Sequence, residues 1–181
     1  IVGADRLNGL ASQAARWTAA ALVLVTLVLS VQGLRSSYLV HRATGILLGI
    51  PKSPGLSPQE AQRYHADATE MLRRGLAIYA DHGGHLMQVA NAYAGLSDAR
   101  NMLWISNLML ETRPYVAEVQ CNLARAHADL AQFAEAGALI DKLRKDRPRS
   151  PCLPLTRFVY EYKRGSFADA PVRSPNLGCQ D

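Results

Sequence analysis

The sequence spells out no catalytic centre. It has no glycine-rich phosphate loop, no nucleophile elbow, and no paired carboxylates or Ser/His/Asp set that spacing alone picks out. No catalytic residue and no cofactor are therefore nominated. Cysteine is scarce: Cys121, Cys152 and Cys179 fit neither CxxC nor the Cys/His spacing of a zinc site. Charge of one sign is not concentrated either. Twenty Lys and Arg against fifteen Asp and Glu leave a net +5, with the basic residues scattered along the chain rather than clustered with aromatics. That argues against a nucleic-acid surface. The one tight histidine pair, His82-Gly83-Gly84-His85, has only Asp81 as an acidic neighbour. Two imidazoles without a further ligand make a poor metal site, and Gly-Gly ends helices readily, so a loop between helices is the preferred reading and no metal is expected.

What the chain does have is one long uncharged run. Trp17 to Leu34 contains no charged residue, and Arg16 and Arg35 bracket it. As a helix it would extend about 27 Å, close to the roughly 30 Å hydrocarbon thickness of a bilayer. Trp17 and Tyr38 are residue types that settle at membrane interfaces. A cleaved signal peptide competes with this reading, but Ser30-Val31-Gln32-Gly33 is a poor cleavage site and Asp5 spoils the leading basic region. A buried core helix also competes, yet it seldom runs so far without a polar face. A transmembrane helix over 17–36 is the reading adopted, with the lipid bilayer as its partner. Orientation is open, because Arg6 and Arg16 precede the run while Arg35, Arg42 and Lys52 follow it. The chain begins at Ile1 rather than Met, which leaves room for processing, trimming or a longer protein.

Downstream, the pattern changes to helical periodicity. Leu86, Val89, Ala90 and Tyr93 recur at three- and four-residue spacing, as do Met102, Ile105 and Met109. Gly95-Leu96-Ser97-Asp98 reads as a turn whose Ser97 or Asp98 caps the next helix. Ser57-Pro58-Gln59-Glu60 reads as a helix start with a capping serine, Pro at the first helical position and Glu three residues beyond the cap. That helix is expected to reach about Ala80 and to pack as a leading half-unit. Pro51, Pro54 and Gly55 mark a linker before it. The expected division is a membrane-flanking segment over 1–16, the span over 17–36, a linker over 37–57, a helical-repeat domain over 58–170 and an irregular tail over 171–181.

An internal repeat underlies this domain. Pro114 and Pro148 stand 34 residues apart, as do Phe133 and Phe167, Ala136 and Ala170, and Ala90 and Ala124. The marks delimit units over 83–116 and 117–150 and a decaying third from Pro151. A 34-residue period with small, aromatic and Ala positions closed by Pro resembles the tetratricopeptide repeat. The resemblance implies an all-α solenoid of antiparallel helix pairs, with Ala124 and Ala136 at the close approach and Phe133 sealing the turn. It also implies a protein-binding groove lined by the first helix of each pair. Carried over residue by residue, that face comprises Met87 and Asn91, then Cys121, Arg125 and Asp129, then Leu155, Val159, Tyr162 and Lys163. An Arg beside polar and aromatic groups suits a carboxylate or a peptide end. The plainer reading makes Arg125 and Asp129 an intrahelical ion pair.

Two features have competing readings. The run from Arg144 to Arg149 suits anionic headgroups or a glycolipid phosphate, but cations in a helix's last turn also complement its dipole, and that reason is the commoner one. For the cysteines, three reduced thiols with Cys121 packed as a small apolar residue is the preferred reading. A Cys152–Cys179 bond is the alternative if the helices lie in the periplasm.

The span, the Pro-rich linker, Leu72-Arg73-Arg74-Gly75-Leu76-Ala77-Ile78-Tyr79 and Glu111-Thr112-Arg113-Pro114-Tyr115-Val116 together resemble the C-terminal region of bacterial O-antigen ligases and polymerases. The resemblance covers roughly Trp17 to Ala170. It implies a bacterial inner-membrane protein with a periplasmic array near a lipid-linked glycan. In that family the glycosyl-transfer residues lie in loops between earlier membrane helices, and no such loop is present here, so none is carried over. The expected function is a membrane-anchored scaffold that holds a protein partner, as the non-catalytic part of such a ligase. The alternative is a free-standing scaffold or a subunit of a larger membrane complex.

Overall fold

Apolar residues at three- and four-residue spacing, punctuated by Pro, Gly and capping side chains, divide the chain into helices. A computed structural model describes residues 2–80 and 82–165, with residues 2–14 as backbone only. The described residues form seven α-helices and no strand: α1 Val2–Gly49, α2 Pro58–Ile78, α3 Gly83–Gly95, α4 Ala99–Thr112, α5 Ala117–Asp129, α6 Phe133–Asp146 and α7 Leu153–Arg164. A 3-10 turn, Ile50–Lys52, follows α1. Phe167, Ala170, Cys179 and the tail over 171–181 lie outside the described residues, as does Asp81.

α1 has two different halves. Its apolar half is bare: Leu22, Leu24, Leu29 and Leu34 are all more than 60% exposed, and no other described residue covers them. The two hydroxyls within it are satisfied by the helix itself, Thr26 Oγ1 donating to Leu22 O and Ser30 Oγ to Thr26 O, each at 2.8 Å. A helix of this length and composition is long and apolar enough to cross a membrane, as an anchor or a signal sequence does.

The second half of α1 enters the fold. Ser36, Val40, Ala43, Thr44 and Leu47 form one buried stripe against α2. The linker expected over 37–57 is therefore helix as far as Gly49, and the irregular stretch is confined to the residues around Pro51, Pro54 and Gly55. The helix breakers begin only there, while the stripe ahead of them has helical spacing and a surface to bury. As a consequence α2 is not a lone half-unit, because α1 supplies the other member of a leading pair.

The start of α2 is as expected. The Ser57 hydroxyl accepts from Glu60 N, and the Glu60 carboxylate accepts from Ser57 N at 3.0 Å. The Ser57 hydroxyl, donating to the Glu60 carboxylate at 2.6 Å, and then the Ser57 backbone N–H hold the Glu60 carboxyl below its ordinary range. α2 crosses α1 closely at Gly75, where Ser36 Oγ donates to Gly75 O at 2.7 Å.

The 34-residue register reappears in the backbone itself. α3 and α5 start 34 residues apart, as do α4 and α6. Ser97 and Ala131, also 34 apart, hold φ of 57° and 58°. Asp98 N bonds Tyr93 O, and Gln132 N bonds His127 O, both at 2.9 Å. Arg113 and Arg147 end α4 and α6 with nearly the same φ and ψ. Asp98 caps α4, its Oδ1 accepting from Asn101 N at 3.1 Å. Ala124 and Ala136 are fully buried, and half-buried Phe133 sets its ring edge against Tyr160.

Stacking follows a regular scheme. α1 pairs with α2, α3 with α4 and α5 with α6, while α1, α3, α5 and α7 touch in sequence as a row of first helices. One apolar core runs from Val40 and Leu72 through Tyr93 and Ile105 to Val119 and Ala126. The Arg73 guanidinium over the Trp104 ring, 5.2 Å from its centroid, joins α2 to α4.

Tyr93 is the largest wholly buried side chain. Thr69 Oγ1 gives its proton to His65 O at 2.8 Å, so the Tyr93 hydroxyl donates to Thr69 Oγ1 at 2.9 Å. Desolvation pushes the phenol up to about 12, outweighing the Thr69 hydrogen bond. A folded-state value above the ordinary 10 means that this contribution is complete below pH 10 and is lost as pH climbs towards 12. The loss is of order 2 kcal/mol. Thermal melts at rising alkaline pH should therefore fall more steeply for the wild type than for Tyr93→Phe. Parallel curves would show that Tyr93 does not carry the effect.

Candidate docking face along the first helices

The residues nominated for a groove fall into two groups. On α3, half-buried Met87 and exposed Asn91 lie one turn apart and meet α5 through Asn122. Its Nδ2 lies 3.4 Å from both Met87 Sδ and Asn91 Oδ1. Asn122 was not nominated from the sequence. It adjoins Cys121, and a helix turns about 100° per residue, so the face towards α3 belongs to Asn122 and the face towards α7 to Cys121.

The second group forms a seam. Cys121, Arg125 and Asp129 repeat every four residues along α5, and Cys152, Thr156 and Lys163 come from the start and body of α7. Cys121 is bonded to Cys152, with Cα atoms 6.2 Å apart. The reading of three reduced thiols is thereby overturned, and so is the Cys152–Cys179 alternative. A repeat unit separates the two cysteines in sequence, and stacking of first helices brings their Cβ atoms together. At the far end of the seam, Lys163 Nζ pairs with Asp129 Oδ1 at 3.0 Å. Asp129 thus reaches across helices instead of pairing within α5. Arg125 lies between these two links. It is half-buried, and its Nε is enclosed without a hydrogen-bond partner. An N–H closed off in that way carries a desolvation cost and is out of reach of an incoming group, so a contact from Arg125 to a ligand would have to come from its other guanidinium nitrogens.

α7 ends the described array. Leu155, Phe158 and Tyr162 are each more than half exposed, and the Tyr162 ring stacks on Phe158 with centroids 6.4 Å apart. Val159 is half-buried beside them. The hollows in the surface lie elsewhere. One of about 620 Å³ opens between Tyr115–Glu118 and Asp146–Pro151, and another of about 630 Å³ between α6 and α7 at Ile140, Leu153 and Tyr160. The first-helix row is therefore a shallow surface suited to an extended chain or a helix face, and it does not enclose a small molecule.

The histidine pair is split by the fold. Ser36 spends its proton on Gly75 O, so His82 Nε2, 2.8 Å away, donates to Ser36 Oγ. His85 instead meets the edge of His41, with centroids 5.4 Å apart. Among the described residues no three His, Cys, Asp or Glu side chains converge as metal ligands.

Compared with known protein families, curated proteins and solved structures, the chain matches none of them.

Proposed function

We propose that this chain is a membrane-anchored, tetratricopeptide-like docking module that holds a protein partner along its first helices, outside the cytoplasm. The observation that carries the reading is the two-part nature of α1. Its bare half has the length of a bilayer crossing, and its other half is the first layer of the array. A continuous helix joins anchor to docking face with no flexible joint, so a bound partner would be held at a set height above the bilayer. The Cys121–Cys152 bond is consistent with an extracytoplasmic array. On the docking face half-buried Met87 and exposed Asn91 offer a mixed apolar and amide surface, with Asn122 buried against them and half-buried Arg125 one turn further along α5. The chemistry fits an extended peptide or helix with a carboxylate or carbonyl to present.

A photo-crosslinking side chain at Asn91 in intact cells should capture a protein that the same group at Arg100, on the outer helix α4, does not. Arg125→Ala should weaken that capture. Equal labelling at both positions, or none at Asn91, would sink the reading. The same rigid rod also suits the tail of an O-antigen ligase-like glycosyltransferase in a bacterial inner membrane, where the array would stand beside a lipid-linked glycan. Under that second reading, deleting residues 58–165 impairs glycan transfer, whereas a free-standing scaffold leaves it unchanged.

A further inference from the structure

The topology gives the array a membrane-facing edge with a composition of its own. Helices alternate in direction, so the connections α2–α3, α4–α5 and α6–α7 lie on the side where α1 leaves its apolar half. Three contacts tie them there. Ser36, next to the bracketing Arg35, bonds Gly75 O and His82 Nε2. Arg113 at the end of α4 lies against Gly83 at the start of α3, where its guanidinium fills the place a Cβ would take. Cys152 Sγ lies 3.6 Å from Ala117 O at the start of α5.

This edge gathers exposed tyrosines and arginines. Tyr38, Tyr79 and Tyr115 are 60%, 54% and 81% exposed. Arg147, Pro148 and Arg149 follow the end of α6 and, with Tyr115, line the hollow of about 620 Å³. The acidic members of this edge are Glu111, Glu118 and Asp146. The helix dipole accounts for Arg144 and Lys145 in the last turn of α6 and for Arg147 at its C-cap, but not for Arg149 beyond it. On the opposite edge, with the turns at 96–98 and 130–132, Asp98, Asp129 and Glu135 are balanced by Arg100, Lys163 and Arg164. Tyr at interface level with Arg beside it is the composition that anionic headgroups select.

We propose that the edge formed by the α4–α5 and α6–α7 connections rests on anionic lipid headgroups, with Arg147 and Arg149 meeting phosphate and Tyr115 entering the interfacial layer. The inference rests on α1 spanning the bilayer, and it makes the array lie along the membrane surface on two supports, the span and this edge.

The test uses the full chain in nanodiscs of phosphatidylglycerol or of phosphatidylcholine alone, with amide exchange read by mass spectrometry. In phosphatidylglycerol, exchange at 113–116 and 147–152 should slow by about fivefold or more relative to phosphatidylcholine. The turns at 96–98 and 130–132 should not change. The doubly reversed variant Arg147→Glu, Arg149→Glu should lose the difference while keeping its exchange pattern elsewhere. Equal slowing at both edges, no slowing at 147–152, or slowing that survives the charge reversal would each overturn the proposal. An alkaline carbonate wash of membranes separates the two layers of inference. Release of the chain removes the span and this proposal with it, whereas retention together with unchanged exchange removes this proposal alone.

Discussion

Replacing Cys152 by alanine should lower the stability of the array by about 3–4 kcal/mol, the scale expected when a cross-link over a loop of this size is lost. The bond joins residues 31 apart and encloses all of α6. Its removal should be felt most at α7, which has few other attachments. Thr156 is the one residue that α7 buries. The Lys163–Asp129 pair is partly exposed, and pairs of that kind contribute about 1 kcal/mol or less. Trypsin should accordingly cleave at Arg157 and Arg164 in the variant while the core from α1 to α5 resists. Dithiothreitol should lower the melting temperature of the wild type by a similar amount and leave Cys152→Ala unmoved. A wild-type melt indifferent to reductant would show that the bond does not hold α7.

The second large effect is expected where α1 crosses α2. A Cβ at Gly75 would lie 2.9 Å from Val40 Cγ2 and 3.2 Å from both Leu39 Cβ and Ser36 O. The last two belong to or adjoin the backbone of α1 and cannot swing aside. Gly75→Val should therefore push the helices apart at a cost of about 3 kcal/mol, the upper end of the range for overpacking. It should also break the buried Ser36 to Gly75 hydrogen bond. Gly95→Ala is the control. Nothing lies within 4 Å of that position and its φ is ordinary. A gain of roughly 0.5–1 kcal/mol is expected there from the better helix propensity of alanine. If Gly75→Val melted with the wild type, the close crossing would not be a source of stability. Because this crossing joins the membrane-length half of α1 to the array, the same variant should also loosen the coupling between that half and the stacked helices.

Local chemistry carried most of the helix boundaries. The Ser57 and Glu60 side chains fix the start of α2, Asp98 fixes that of α4, and the register of Pro114 and Pro148 marks equivalent helix ends. The second half of α1 was misread because the uncharged run stops at Arg35 and the breakers begin at Pro51. The stripe of Val40, Ala43 and Leu47 between them has helical spacing but is too short and sparse to stand out beside the uncharged run.

Residues on the candidate docking face are less legible. A nomination by sequence spacing is off by a whole face when it is off by one residue, which is the difference between Cys121 and Asn122. Asp129 looked like a partner for Arg125 because four residues separate them, but α7 brings Lys163 closer.

The sequence by itself determined the uncharged length of α1, the caps and turns, and the 34-residue register, because each depends on neighbours within a turn or two of helix. Only the tertiary structure decided that Cys121 pairs with Cys152, that Ser36 meets His82, and that Arg125 is left with an enclosed, unpaired Nε. Those facts depend on which faces of helices tens of residues apart are pressed together. That choice is made by the packing of the whole stack, where Gly75 and the buried alanines let the backbones approach.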